Sequence, residues 1–210
     1  MNSPTSASSP VPAPDALPAV DFQKYREANR NRPHSARLES AIELAAPGGR
    51  SALDVGSGAC CDVRFLRTRG YVVTALDGDK GVYEEVAALG DPWVKPLAMR
   101  LEDLSLPPAA YDFINAQFSL FFCAPDRFDR MFASLLASLA SGGLFHGNLL
   151  GPRDGWCPNP EKTFLERGQA EALFAGLEIL EFNEMERDAT LSSKQPHHWH
   201  EYVFTVRRPA

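Results

Sequence analysis

Ser51-Ala52-Leu53-Asp54-Val55-Gly56-Ser57-Gly58-Ala59-Cys60 is the stretch on which the fold turns. Its first five residues form a short, nearly continuous apolar run, cut off by two glycines one residue apart. A run of this kind reads as a strand buried on both faces, as in a parallel sheet covered by helices. The glycines predict a tight turn where a ligand can approach the backbone closely. From Cys61 to Arg69 the apolar residues Val63, Phe65 and Leu66 gather on one side, and Gly70 supplies a stop. A helix therefore follows the turn.

The same alternation repeats downstream. Tyr71 to Leu76 is a second buried strand, ending at Asp77-Gly78-Asp79, and helical spacing resumes from Lys80 to Leu89. A weaker strand spans Trp93 to Leu97, and Tyr111-Asp112-Phe113-Ile114-Asn115-Ala116 is another. Phe128, Met131, Phe132, Leu135, Leu136 and Leu139 mark a helix from Arg127 to Leu139. After Gly142-Gly143 comes a strand from Leu144 to Leu150, then a loop from Gly151 to Lys162 and a helix from about Thr163 to Ala175. Two closing strands, Leu177 to Glu186 and Glu201 to Val206, have no helix between them, and so short a connection makes them antiparallel. The expected fold is α/β, a doubly wound, Rossmann-like sheet, mostly parallel with an antiparallel last strand.

Upstream, Tyr25, Leu38, Ile42 and Leu44 carry helical spacing from near Val20, with a stop at Pro47-Gly48-Gly49. Residues 1–18 are Ser, Pro and Ala with little to bury, and read as a disordered tail before a single domain over 19–210. The chain has 210 residues, 44% hydrophobic and 23% charged, which suits an ordinary globular protein. With net charge -6 and no basic stripe, nucleic acid is not an expected partner. Cys60, Cys61, Cys123 and Cys157 fit no zinc spacing, so no metal is expected and a reducing compartment is the simplest reading. Neither a secretory signal nor an apolar run of about 18 residues is present, so the cytoplasm is the default and no membrane contact is expected.

The turn also points to a chemistry. Asp54 stands two residues before Gly56, where a carboxylate repels a pyrophosphate but suits a ligand bearing an ammonium group. Asp77 closes the second strand, 19 residues after Gly58, where an acid accepts hydrogen bonds from ribose hydroxyls. The plain alternative is a tight strand-to-helix turn with no ligand. Asp54, Gly56, Gly58 and Asp77 resemble the first two motifs of the class I S-adenosylmethionine-dependent methyltransferases. In that resemblance the loop binds the methionine part of S-adenosylmethionine, the acid after the second strand holds the ribose, and Leu101-Glu102-Asp103 covers the adenine. Ser141-Gly142-Gly143-Leu144 looks like the turn before the family's fifth strand.

Asn115 to Cys123, Gly151 to Trp156 and His198-Trp199-His200 are most similar to a small-molecule group related to the tellurite-resistance methyltransferases. The resemblance implies a cofactor set of Tyr25, Arg32, Asp54, Gly56, Ser57, Gly58, Asp77, Gly78, Leu101, Glu102, Asn115 and Gln117. Cys60 departs from the usual third loop glycine, and Arg100 stands where related enzymes often place a carboxylate. These departures motivate a second reading, a non-catalytic S-adenosylmethionine-binding protein. A nicotinamide-dependent oxidoreductase fits less well, because its fingerprint needs glycine at 61, where Cys61 stands.

Ligands of open α/β sheets bind outside the carboxyl ends of the strands. That edge collects Gln117 to Ser119, the Gly151 to Trp156 loop and His197 to His200. His198 and His200, on one face of a strand with Trp199 on the other, are the candidate catalytic base or anion holder, with a structural role in the sheet as the alternative. Phe118, Arg153 and Trp156 are the candidate substrate contacts, whereas His146 reads as a core histidine. The expected activity is methyl transfer to a small-molecule acceptor by in-line displacement.

Overall fold

The computed structural model describes residues 21–45, 48, 50–191 and 194–210. The tail 1–18 and residues 47 and 49 of the expected helix stop lie outside them. The chain runs through α1 (Phe22–Asn29), α2 (Ala36–Ile42), β1 (Ser51–Val55), α3 (Cys61–Thr68), β2 (Val72–Asp77) and α4 (Val82–Leu89). It continues through β3 (Val94–Ala98), β4 (Tyr111–Ala116), α5 (Pro125–Ser138), β5 (Leu139–Leu150), α6 (Arg167–Ala172), β6 (Glu178–Thr190) and β7 (Pro196–Arg207). The strands form one seven-stranded sheet in the order β3-β2-β1-β4-β5-β7-β6. Pairings from β3 to β5 are parallel, and β7 runs antiparallel to both β5 and β6. The expected fold class is what the sheet shows, with the reversed strand inserted between β5 and β6.

Successive strand residues point to opposite faces, so two cores form. Leu53, Val55, Ile114, Phe145, Phe204 and Val206 pack on one face against Phe128, Phe132 and Leu135 of α5. Ala52, Val73, Ala75, Phe113 and Leu144 pack on the other against Leu38 of α2, Val63 and Leu66 of α3 and Val86 of α4. Each five- or six-residue central strand is thereby buried on both sides, as its mainly apolar run predicts.

Several boundaries differ from expectation for local reasons. The helix expected from Val20 to Leu44 is two helices, α1 and α2. Pro33 between them disfavours helical backbone at Arg32, and the Ser35 N–H donates to Asp62 Oδ1 at 2.9 Å instead of to the chain behind it. The helix expected from Thr163 begins only at Arg167. Thr163 N–H and Leu165 N–H are taken by the carbonyls of Phe121 and Leu150, and a capping box between Glu166 and Gln169 sets the start. At the outer edge, β6 carries Glu181, Glu184, Glu186, Arg187 and Asp188, charges that discourage pairing with another strand. Among the described residues no helix is long and apolar enough to cross a membrane.

Candidate cofactor and substrate site

The glycine turn is built so that only glycine fits its first position. Gly56 has φ +74°, and a Cβ there would lie 2.5 Å from Ser119 Cβ. The Gly56 and Ser57 N–H groups both donate to the Leu76 carbonyl, at 2.8 and 3.0 Å, locking the turn onto the end of β2. Gly58, at φ +49°, donates its N–H to Asp77 Oδ2 at 2.9 Å. Cys60 takes the third left-handed position, φ +57°, as the residue before α3. An L side chain there costs roughly 1–2 kcal/mol, against which stands the complete burial of the Cys60 side chain. That burial pushes its thiol up to about 12, so it is an inert packing group.

Beneath the turn lies a buried acid cluster. Asn115 Nδ2 donates to Asp54 Oδ1 at 2.7 Å and to Asp62 Oδ2 at 3.1 Å. Asp62, in the first turn of α3, also accepts the Ser35 N–H. Ser35 Oγ donates to Gln117 Oε1 at 2.8 Å, and Gln117 Nε2 donates to Asn115 Oδ1 at 3.4 Å. Burial, and then the charge of Asp62, hold the Asp54 carboxyl well above the usual carboxylate range. Two carboxylates sharing one amide form a donor set short of a cation. The cluster fits a ligand bearing an ammonium group and does not fit a pyrophosphate. Nearby, the Ser57 and Ser119 hydroxyls are buried with no partner among the described residues.

Helix α1 is fastened over this region. Arg26 is buried and donates from Nη1 to Asp79 Oδ1 at 2.7 Å, while Arg30 reaches Glu85 at 2.6 Å. Gly81 lies beneath it, and a Cβ there would push the Arg26 guanidinium out of its present position. Tyr25 lies within α1 and places its ring 3.3 Å from where a Cβ of Gly58 would stand. Arg32 is exposed in the α1–α2 connection, and its charge acts on both Asp54 and Tyr25. Gly78 packs against the Arg100 backbone, Leu101 rests on the main core, and Glu102 is paired with Arg100 at 3.3 Å.

Beyond β4 the chain turns through Phe118, at φ +53°, whose N–H donates to Asn148 Oδ1 at 2.6 Å. The turn delivers Phe118 to an aromatic cluster with Phe121, Phe122, Trp156 and Trp199. Ring centres are 5.1 Å apart for Phe118–Trp199 and 5.3 Å for Trp156–Trp199. Beside it, Glu201 is fully buried, accepting two hydrogen bonds from Arg37 at 2.7 and 2.9 Å and one from Asn148 at 2.9 Å.

The three histidines of β7 divide between its faces. His197 lies with Trp156 and Trp199, at 4.5 Å between ring centres in each case, and its Nε2 is 3.1 Å from Asp154 Oδ1. His198 and His200 face the other way, onto the acids of β6. Asp188 at 2.8 Å and Glu186 at 3.3 Å raise the pKa of His198. His200 is fully buried; its Nδ1 accepts the Arg153 N–H at 3.1 Å, so its neutral form carries the proton on Nε2, toward Glu184 at 2.9 Å. Arg153 is bound to Glu184 and Glu186 at 2.9 and 2.6 Å. Glu184, Glu186 and His200 group three potential metal ligands, with the Arg153 guanidinium among them. His146 is a core histidine, bonded to Thr205 at 3.0 Å and pushed down to about 4 by burial.

Sequence reasoning passed over Asp62, Asn148, Glu201 and Arg37, and placed His197 at the sheet edge without giving it a role. Asp62 looks like an acid placed for the helix dipole, and Glu201 and Asn148 look like ordinary polar strand residues. Only the sheet brings them to one edge.

The family described as "Methyltransferase domain" matches residues 52–143, the segment from β1 into the start of β5 that holds the glycine turn, Asp77 and Asn115. No curated protein matches the sequence. Among solved structures, TehB from Haemophilus influenzae is 16% identical, with a TM-score of 0.69 over 89% of this chain and 66% of that one. A 1,6-didemethyltoxoflavin-N1-methyltransferase from Burkholderia thailandensis, solved with 1,6-didemethyltoxoflavin and S-adenosylhomocysteine, is 21% identical. Its TM-score is 0.61 over 96% of this chain and 95% of that one. An S-adenosylmethionine-dependent methyltransferase from Mesorhizobium loti is 17% identical, with a TM-score of 0.63 over 83% and 98%. At these identities the likeness is one of fold, and the chain has the fold of the S-adenosylmethionine-dependent methyltransferases.

Proposed function

We propose that this chain is an S-adenosylmethionine-dependent methyltransferase acting on a small-molecule acceptor by in-line methyl transfer. The observation that carries this reading is the buried Asp54–Asn115–Asp62 cluster under the glycine turn. It favours the ammonium of an amino-acid moiety over the phosphates of a dinucleotide. S-Adenosylmethionine is the cofactor, and when bound it supplies an electrophilic methyl group on a sulfonium centre. Gly56, Ser57 and Gly58 leave the backbone open to it, Asp54 balances its ammonium, and Asp77 has lone pairs left for ribose hydroxyls. Gly78, Leu101 and Glu102 border the adenine, Asn115 and Gln117 line the floor, and Tyr25 and Arg32 cover the amino-acid end.

With so good a leaving group, the chain's main task is to orient the acceptor and exclude water. Phe118, Trp156 and Trp199 form the wall for that purpose. An acceptor that carries its proton also needs a base, worth roughly 10²–10⁴-fold. Within the β7 histidines we assign that role to His197, which shares the face of Trp199 and is oriented by Asp154. His198, His200 and Arg153 instead tie the loop after β5 to β6 through Glu184 and Glu186. The substrate class we propose is a small molecule, and the net charge of -6 disfavours nucleic acid.

Calorimetry with S-adenosylmethionine, S-adenosylhomocysteine and NADH, followed by a turnover screen of small acceptors, tests the reading. Micromolar binding of both sulfur compounds without NADH, together with formation of S-adenosylhomocysteine, is expected. NADH binding alone, or no sulfur-compound binding, overturns the proposal. Tight binding without turnover on any acceptor selects the non-catalytic reading.

A further inference from the structure

Three cations lie against the aromatic cluster at the carboxyl edge of the sheet. The Arg37 guanidinium is 5.7 Å from the ring centre of Phe118, and that of Arg187 is 5.6 Å from Trp199. Lys162 Nζ is 3.9 Å from the ring centre of Phe122 and 4.9 Å from that of Trp156. The first two are committed to one acid. Arg37 makes two hydrogen bonds to Glu201, and Arg187 Nε lies 3.4 Å from the same carboxylate. Lys162 differs, because among the described residues its ammonium makes no hydrogen bond and no ion pair, and it stands over the ring faces of Phe122 and Trp156. The acids that act on it from a distance are Glu161 and Asp154. Asp154 is already occupied, holding His197 through Oδ1, the Trp156 N–H through the same oxygen, and the His200 N–H through Oδ2.

An ammonium over ring faces is attracted by the ring quadrupoles, but ring faces offer its three N–H groups no strong hydrogen-bond acceptor. Burial pushes its pKa down to about 8, so at neutral pH the group is still charged and incompletely solvated. A carboxylate or phenolate arriving there would form a charge-assisted hydrogen bond, the stronger kind, in a partly dry setting. Phe118, Phe122, Trp156 and Phe164 keep part of their surface open, and Phe22 of α1 meets Phe122 edge-on at 6.4 Å. A flat, apolar body with one acidic group matches that combination of ring faces and a single uncommitted cation.

We propose that Lys162 binds the anionic group of an aromatic acceptor whose ring packs against Phe118, Phe122 and Trp156. The assignment rests on the methyltransferase reading for the word acceptor, but the binding itself stands on the cluster alone. Lys162 lies on the loop between β5 and α6, outside the cofactor half of the site, so replacing it leaves cofactor binding intact.

The test uses the full chain and two probes of one shape, 4-hydroxybenzoate and 4-hydroxybenzamide, titrated by tryptophan fluorescence with S-adenosylhomocysteine present. Wild type is expected to prefer the carboxylate by at least about tenfold, the worth of one charge-assisted hydrogen bond. In Lys162→Met that preference disappears, and in Lys162→Arg part of it returns, with S-adenosylhomocysteine affinity equal in all three. Equal binding of the two probes by wild type, no binding of either, or an undiminished preference in Lys162→Met each overturns the proposal. Loss of S-adenosylhomocysteine binding in wild type, with the carboxylate preference intact, would overturn the methyltransferase reading and leave the aromatic-acid site standing.

Discussion

The two halves of the sheet are built to different rules. From β1 to β4 the strands are five or six residues long, parallel, and joined by turns whose chemistry is local. From β5 to β7 they are 12 or 13 residues long, and their polar groups meet partners on the neighbouring strand, as His200 meets Glu184, and far away in the chain, as Glu201 meets Arg37. Gly58 meets Asp77 across 19 residues, whereas Arg37 meets Glu201 across 164. The first half holds a cofactor loop whose shape is dictated by backbone constraints. The second half holds the aromatic cluster beside a buried charge network. On the proposed function, binding of one fixed molecule sits on the first half and choice of an acceptor on the second.

Breaking the local half has the largest effect. Gly56→Val introduces a Cβ that meets Ser119 at 2.5 Å and a left-handed φ that valine strongly disfavours. A loss of S-adenosylhomocysteine affinity of about a hundredfold or more is expected, since strain of a few kcal/mol falls on the binding loop. Calorimetry on a variant shown to be folded by circular dichroism checks this, and unchanged affinity would detach the cofactor from the glycine turn.

Breaking the long-range half should instead lower stability. Glu201→Ala leaves Arg37, Asn148 and Arg187 without their shared acceptor in a fully buried position. Removing one partner of a buried pair costs roughly 3–5 kcal/mol, and the lower end applies because Arg37 keeps part of its side chain in solvent. Urea unfolding measures it, while cofactor affinity in the folded fraction should stay within about twofold. A large affinity loss without destabilisation would mean that the two halves are not separable.

The histidines sharpen the comparison within β7 itself. His197→Gln should lower kcat by about 10²–10⁴-fold for an acceptor that must lose a proton, with unchanged cofactor binding and little change in stability. His200→Gln disturbs the contacts to Arg153 and Glu184 and should act on stability first. Finding the rate loss at His200 and none at His197 would return the base to the face of β6.

The smallest effect is a pH dependence in the cofactor half. The Asp54 carboxyl is raised, so in the free protein it stays protonated into a range where an isolated carboxyl is ionised. An incoming ammonium favours its ionised form, so binding releases a proton below that raised pKa, and affinity rises with pH through it. Calorimetry in buffers of different ionisation enthalpy should show release of up to about one proton at neutral pH, and none in Asp54→Asn. Folding carries the opposite sign, because the native state binds the proton that cofactor binding releases. With its native pKa raised, Asp54 weakens the fold as pH climbs from the unfolded carboxyl value toward the native one.

Residue periodicity alone determined the alternation of strands and helices, the glycine turn, the acid at the end of β2 and the reversal of the final strand. Each of these rests on a few neighbouring residues whose backbone choices are limited by sterics and burial. The break between α1 and α2 is signalled by Pro33 alone, against an apolar spacing that continues on either side of it. The late start of α6 was not legible, because the N–H groups of Thr163 and Leu165 find carbonyls on Phe121 and Leu150, which no local pattern announces. The acceptor side was decided by tertiary structure alone. Whether a strand histidine meets Trp199 or Glu184, and whether a lysine finds a carboxylate or only aromatic rings, depends on which distant segments the sheet sets side by side. Burial then fixes the outcome, since a charge removed from water is governed by the few groups that touch it.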